Sequence, residues 1–229
     1  MTLLERLPAE TLRERAPVLE TARLRLRPPR LADAEAIATL ANDRRIAENT
    51  ARIPHPYTLA DAEAFINGVA RSESEIAFAI TLARDARDPE KACPGLDPGW
   101  EPVFGQDHAP NNRRGTLIGM CGLTRHPGAQ PEIGYWLGLP YWGRGYATEA
   151  ARAVIDHAFE DLRLDLLTAG ARVSNPASRR VLEKCGFQWT GVVLTRIRAI
   201  ASAAPIDRFR LDRRLWASLK SWGEAKRRM

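Results

Sequence analysis

Between residues 139 and 150 the chain reads Leu-Pro-Tyr-Trp-Gly-Arg-Gly-Tyr-Ala-Thr-Glu-Ala. Gly143 and Gly145 remove side chains where the main chain must turn sharply, and helical spacing begins at Tyr146. The amides of Gly143, Gly145, Tyr146 and Ala147 then point outward at the positive end of a helix. Such a turn binds phosphate oxygens through N–H groups and the helix dipole. Thr148 adds a hydroxyl and Arg144 a nearby positive charge. A tight turn without a ligand has the same pattern, so the two glycines alone leave both readings open. Two other phosphate motifs are excluded. Thr148 stands where a dinucleotide fingerprint needs its third glycine, and no Gly-Lys-Ser/Thr occurs for a P-loop. No Gly-x-Ser-x-Gly nucleophile elbow is present either.

The elements that must hold this turn are legible from periodicity. Residues 21–28 alternate leucine and arginine, as a half-buried strand does. Asp33 opens an alanine-rich helix, and Thr58 begins a second one with Asp61 at the capping-box position. Between them IPHPY, 53–57, is a non-helical loop. Strands are expected over 75–83, 116–124, 131–139 and 166–173. A helix with one apolar face runs from 146 to 162. Asn175 and Pro176 start another helix as N-cap and N1, and Gly186 ends it. Strands near 187–194 and 206–212 and a short helix around Leu215 close the chain. The order β α α β β β α β α β β is a mixed α/β layered domain.

The 229 residues carry 34 Lys and Arg against 28 Asp and Glu, a net charge of +6. With 45% hydrophobic residues, the chain has material for a sizeable core, and its length favours one domain with additions. The expected division is an extension over 1–17, a domain over 18–220 and a basic tail over 221–229. Residues 84–115, rich in proline and glycine, are expected as a loop insertion between two hairpin strands, with a substrate lid as the lesser reading. No apolar run is long enough for a membrane helix, and the N-terminus lacks a secretory h-region. Cys93, Cys121 and Cys185 are odd in number and far apart, which argues against a disulfide framework or a zinc site and fits the cytoplasm. No metal is expected. The arginines are scattered, as on a solvated surface, so no nucleic-acid partner is expected.

Trp142-Gly143-Arg144-Gly145-Tyr146-Ala147 resembles the pyrophosphate motif of the GNAT N-acetyltransferase superfamily, Arg/Gln-x-x-Gly-x-Gly/Ala, except that Trp142 replaces Arg or Gln. With EIGYWL before it, NPASRRVLEKCGF at 175–187, ETARLRLRP at the start and DRFRLDRRLW at the end, the chain is similar to the ribosomal-protein-N-acetyltransferase-like (RimJ/RimL-type) branch. The resemblance covers roughly residues 18 to 220 without the insertion.

It implies a mostly antiparallel sheet whose strands 131–139 and 166–173 splay apart, flanked by helices. It also implies acetyl transfer from acetyl-CoA to a primary amine, either a protein N-terminus or a small molecule. On this reading pantetheine pairs with main-chain groups near Leu137 and Leu139. The pyrophosphate lies on Gly143, Arg144, Gly145, Tyr146, Ala147 and Thr148, and an N–H near Leu137 polarises the thioester carbonyl. Glu132 is the first choice for general base, against an ion-pairing surface acid; His126 and Glu48 are weaker candidates. Leu182 stands where many members have a tyrosine acid, so the branch's Asn-x-x-Ser, here Asn175 and Ser178, brings Ser178 forward as the group facing the departing thiolate. Both also fit a plain helix cap. Cys185 is read as a buried helix-end residue, and Tyr135, Trp136, Tyr141 and Trp142 as packing or pocket aromatics. A CoA-binding module without turnover is the alternative, and a homodimer is possible.

Overall fold

The structure, a computed structural model, describes residues 17–83 and 115–227, with side chains through Trp222. The expected extension and insertion therefore lie, apart from Pro17 and Gly115, outside the described residues. Eight strands form one sheet: β1 (Leu19–Glu20), β2 (Leu24–Arg27), β3 (Glu75–Leu82), β4 (Leu117–Thr124), β5 (Glu132–Leu137), β6 (Leu166–Arg172), β7 (Gln188–Ile197) and β8 (Ser202–Asp212). Their order is β1-β2-β3-β4-β5-β6-β8-β7, and every neighbouring pair is antiparallel except β5 with β6. Among the described residues six helices flank it: α1 (Ala34–Ala41), α2 (Arg44–Ala47), α3 (Leu59–Arg71), α4 (Tyr146–Glu160), α5 (Pro176–Lys184) and α6 (Arg213–Arg227).

The expected mixed sheet is present. Its differences from the sequence reading are local. The two-residue β1 and the single-turn α2 are too short to carry a period. Asp33 ends a 3-10 turn and accepts two hydrogen bonds of 2.7 Å from Arg27, which tie β2 to the start of α1. The closing strands extend to Ile197 and start at Ser202, because they pair as one hairpin through a 3-10 turn. The last helix is fifteen residues long, not short.

Local signals behave as their chemistry requires. Thr58 Oγ1 accepts from Asp61 N–H at 3.2 Å while Asp61 accepts from Thr58 N–H at 2.9 Å, a complete capping box despite the shorter acid. Asn175 Oδ1 accepts from Ser178 N–H at 3.1 Å, Pro176 follows it, and Gly186 has φ +89° just past the helix end.

Strand alternation divides the interior into two layers. On one face Ile76, Phe78 and Ile80 of β3 and Ile133 and Leu137 of β5 pack against Ala150, Val154 and Phe159 of α4 and Leu182 of α5. On the other, Ala77, Ala79 and Met120 meet Ile37 of α1 and Ile66 of α3. Full burial of a side chain such as Phe78 contributes about 1.5–3 kcal/mol.

The central pair departs from regular pairing. β5 aligns with β4 over six residues and β6 with β8 over seven, yet β5 and β6 face each other only at Glu132–Thr168 and Ile133–Ala169. Beyond Ile133 the two strands part. Close approach of β4 holds β5 on its own side: a Cβ at Gly119 would stand 2.2 Å from Trp136 O and 2.8 Å from Leu137 Cα. Gly119→Ala is accordingly expected to cost about 1–3 kcal/mol of stability, as overpacking does. Urea unfolding would show it as a lower midpoint at unchanged slope.

Candidate functional site

The opening between β5 and β6 is lined by main chain. Gly138 N–H donates to Ile118 O at 2.8 Å, so by the alternation of an antiparallel ladder the N–H and C=O of Tyr135 and Leu137 point away from β4, toward the gap. The Leu137 carbonyl is taken by the Trp142 indole N–H at 2.7 Å, and the Leu139 carbonyl by Trp142 N–H at 3.1 Å. Leu139 lies in a 3-10 turn over Leu139–Tyr141, where the strand was expected to continue. Trp142 is thus a clasp across the strand end, 45% exposed, a role its spacing did not reveal.

The glycine turn follows at the mouth of the gap. Gly143 and Gly145 have φ of +75° and +77°, a left-handed conformation that strains any residue with a Cβ. Gly145 is the N-cap of α4 and supplies no side chain, so the first-turn amides of Tyr146, Ala147 and Thr148 have no side-chain cap. Arg144 makes no ion pair among the described residues. No group of His, Cys, Asp or Glu able to hold a metal occurs among them either.

What fixes the turn comes from the far end of the sequence. Arg23, in the bend just before β2, reaches under it: Nη1 donates to Arg144 O at 2.9 Å, and Nε and Nη2 each meet Glu149 Oε2 at 2.7 Å. Its guanidinium stacks 4.8 Å from the Tyr146 ring centre, and a Cβ at Gly145 would lie 3.4 Å from Nη2. Glu149 also accepts from Thr21 Oγ1 at 2.6 Å and Arg23 N–H at 2.9 Å. These donors neutralise an acid in the first turn of the helix. The pair was missed in the sequence because 126 residues separate its members.

Across the gap Tyr135 of β5 meets α5. Its hydroxyl donates to Ser178 O at 3.1 Å and stands 3.1 Å from Ser178 Oγ. Burial pushes the Tyr135 hydroxyl above its ordinary range, so it holds its proton. Ser178 thus has a hydroxyl partner that its reading as a lone acid lacked. Alternation along EIGYW could have signalled this, since Tyr135 shares a strand face with Ile133 and Leu137. Burial also raises the Cys185 thiol, to about 11, leaving it a poor nucleophile; its Sγ lies 3.9 Å from Thr148 O.

The opposite face of the same gap is polar. Glu132 is bound by Arg208 in a two-pronged pair, at 2.8 and 3.2 Å, above Gly170. Both members are about one-third exposed. The ion-pair reading of Glu132 therefore holds in this state, and its carboxylate borders the gap at the point where β5 and β6 part. Glu48 turns its carboxylate to Arg44, and its main-chain oxygen accepts from Arg172 at 2.8 Å. His126 is exposed in the β4–β5 turn, outside the gap. Neither enters the site.

A family model described as an acetyltransferase (GNAT) domain matches residues 23–188. The Bacillus subtilis uncharacterized N-acetyltransferase YoaA is 34% identical over 184 residues, 77% of this chain and 86% of that protein. Other curated matches are shorter. The chain spans little more than half, 58%, of the Bacillus licheniformis uncharacterized N-acetyltransferase p20, at 32% identity over 44% of its own length. In fold, RimJ of Mycobacterium smegmatis, solved with CoA-disulfide, superposes with a TM-score of 0.63 at 20% identity, covering 87% of this chain and 89% of that one.

Because the Arg23–Glu149 pair is partly buried, Arg23→Met should cost about 1–3 kcal/mol in thermal unfolding, less than a fully buried pair. Adding Glu149→Gln should restore part of the loss, since it removes the uncompensated charge. The chain belongs to the GNAT acetyltransferase family.

Proposed function

We propose that this chain transfers an acetyl group from acetyl-CoA to a primary amine by direct attack. One observation carries the reading: an uncapped helix N-terminus after two left-handed glycines opens onto a sheet gap where β5 and β6 pair at only two positions. The diphosphate would rest on the amides of residues 143–148, with Arg144 as the near cation. Pantetheine would lie between β5 and β6. The carbonyls of Leu137 and Leu139 already have donors within the chain, so the useful group is the Leu137 N–H, placed to polarise the thioester carbonyl.

The amine approaches from the Glu132 side. Glu132, released from or sharing Arg208, takes a proton from the ammonium; the nitrogen then bonds the acyl carbon, and the developing oxyanion is held by main-chain N–H. As the C–S bond breaks, the nitrogen sheds its second proton to solvent and the thiolate receives a hydrogen bond or proton from Ser178, whose hydroxyl is backed by Tyr135 and, where it gives its proton, regains one from solvent. The products are an amide and free CoA. The reading of the protein as a CoA-binding module without turnover lacks a specific observation in its favour.

A homodimer draws support from the edge strand β7, which exposes Trp189, Val192, Val193 and Leu194. No described helix is long and apolar enough to cross a membrane, in keeping with a cytoplasmic place of action.

Calorimetry with CoA and thiol release with acetyl-CoA over a panel of peptides, amino acids and polyamines test the proposal. Saturable CoA binding and release above background on at least one acceptor are expected; no heat, or release on none, refutes it. Glu132→Gln should lower kcat/KM at pH 7 by roughly 10²–10⁴. The deficit should shrink as pH rises, because the free-amine fraction then grows without a base. Ser178→Ala should reduce kcat by about tenfold, the scale of one lost hydrogen bond. Tyr135→Phe should have a smaller effect of the same sign.

A further inference from the structure

On the polar face of the gap Arg172 is a cation that has no acid. Thr168, Gly170 and Arg172 share a face of β6 by strand alternation. The Glu132–Arg208 pair covers Gly170, whose Cβ position lies 3.0 Å from Arg208 Nη1 and 3.6 Å from Glu132 Oε1. Arg172 is the next residue on that face, about 6.6 Å further along. It stands on the part of β6 that has separated from β5. The acids around this face are already engaged: Glu132 with Arg208, Glu75 with Arg52, and Glu48 with Arg44. Arg172 has no ion pair among the described residues. The one hydrogen bond of its side chain there runs from Nη1 to Glu48 O, and its Nε is buried without a partner.

A guanidinium drawn out of water and left without an anion is unfavourable, and it becomes favourable when a ligand supplies one. The floor beside Glu132 on this face has room for such a ligand. Gly134 of β5, on the same face as Glu132, is exposed, and the position of its missing Cβ meets nothing within 4 Å. A glycine in a central strand commonly marks a close approach by a ligand.

We infer that Arg172 binds a carboxylate on the acceptor, so that the substrate is an amine bearing a carboxylate within a few bonds of its nitrogen. Arg172 follows Gly170, which the Glu132–Arg208 pair covers, as the next residue on that face, and the acceptor bridges the two: the nitrogen faces Glu132 and the thioester while the carboxylate reaches Arg172. Free amino acids and peptides with an acidic N-terminal residue share this chemistry. The nearby guanidinium also disfavours the ammonium form of the amine, the direction that attack requires. Polyamines, which carry further positive charge, are disfavoured at the same place. The inference names the acceptor class of the transferase proposed above and rests on that reading.

Matched acceptors test it under saturating acetyl-CoA, with CoA release as readout. α- and β-amino acids are compared with their carboxamides, peptide amides beginning with Asp with those beginning with Asn, and spermidine serves as the cationic arm. The carboxylate member should be preferred by tenfold or more in kcat/KM, and the arm in which this occurs separates free amino acids from peptides. In Arg172→Gln the preference should fall to within threefold, with Arg172→Lys intermediate. A preference for carboxamides or spermidine, or a tenfold carboxylate preference that persists in Arg172→Gln, overturns the inference.

A binding measurement keeps the two readings distinguishable. If no acceptor releases CoA, the transferase reading fails. The anion site is then judged on the CoA complex, by the thermal midpoint with N-acetyl amino acids against their carboxamides. A rise with the carboxylate that Arg172→Gln abolishes supports the site; equal midpoints overturn it.

Discussion

A strand in the middle of a sheet must place the hydrogen-bonding groups on both its edges, and β5 does so in full on one edge only. Along β4 its ladder is complete. Toward β6 it ends after two residue pairs, although the strand continues to Leu137. Unpaired main-chain groups inside a protein are costly unless something else bonds them. Here the chain bonds some of them itself, through the Trp142 indole at the Leu137 carbonyl, and leaves the N–H side of Leu137 facing the gap. This partial satisfaction defines the site. A ligand with amides of its own, as pantetheine has, can complete the ladder that β6 leaves unfinished.

The separation persists because each strand is secured from outside. β6 is held along its whole length by β8, and β5 is held by a β4 glycine so close that no side chain fits between. The helices complete the arrangement. α4 presents its uncapped first turn at the open end, and α5 sends Ser178 back to Tyr135. Arg23 joins the glycine turn to the opposite part of the sheet and offsets the charge of Glu149, an acid suited to a helix N-terminus but unhelpful beside a diphosphate. The turn is therefore shaped by its glycines and held in place by Arg23, just ahead of β2.

The two faces of the gap have different chemistry. The face toward α4 and α5 carries apolar residues, the Tyr135–Ser178 pair and the uncapped glycine turn, which suits a large phosphorylated carrier. The face bordered by α2, its following loop and β8 carries paired ions, exposed glycine and Arg172, which suits a small polar acceptor. The proposed direct transfer needs this division, since the amine must reach the acyl carbon from the side that the carrier leaves open. Family membership accounts for the first face; the charges on the second belong to this chain and bear on which amine it takes.

Much of this could be read from the sequence. Period-two and helical spacing located the longer elements, because burial of one face leaves its mark on every second or third residue. Gly143, Gly145, Asn175, Pro176 and Gly186 marked turns and caps, because those positions depend on a residue's own dihedral angles or on a partner three residues away. The tertiary structure decided what depends on distant partners. It set how far β5 and β6 stay paired, engaged Glu132 with Arg208, turned Glu48 away, gave Ser178 a tyrosine partner and left Arg172 without an acid. Local patterns report how each residue meets its neighbours in the chain, whereas a charge is balanced by whatever the fold brings beside it, here from as many as 126 residues away.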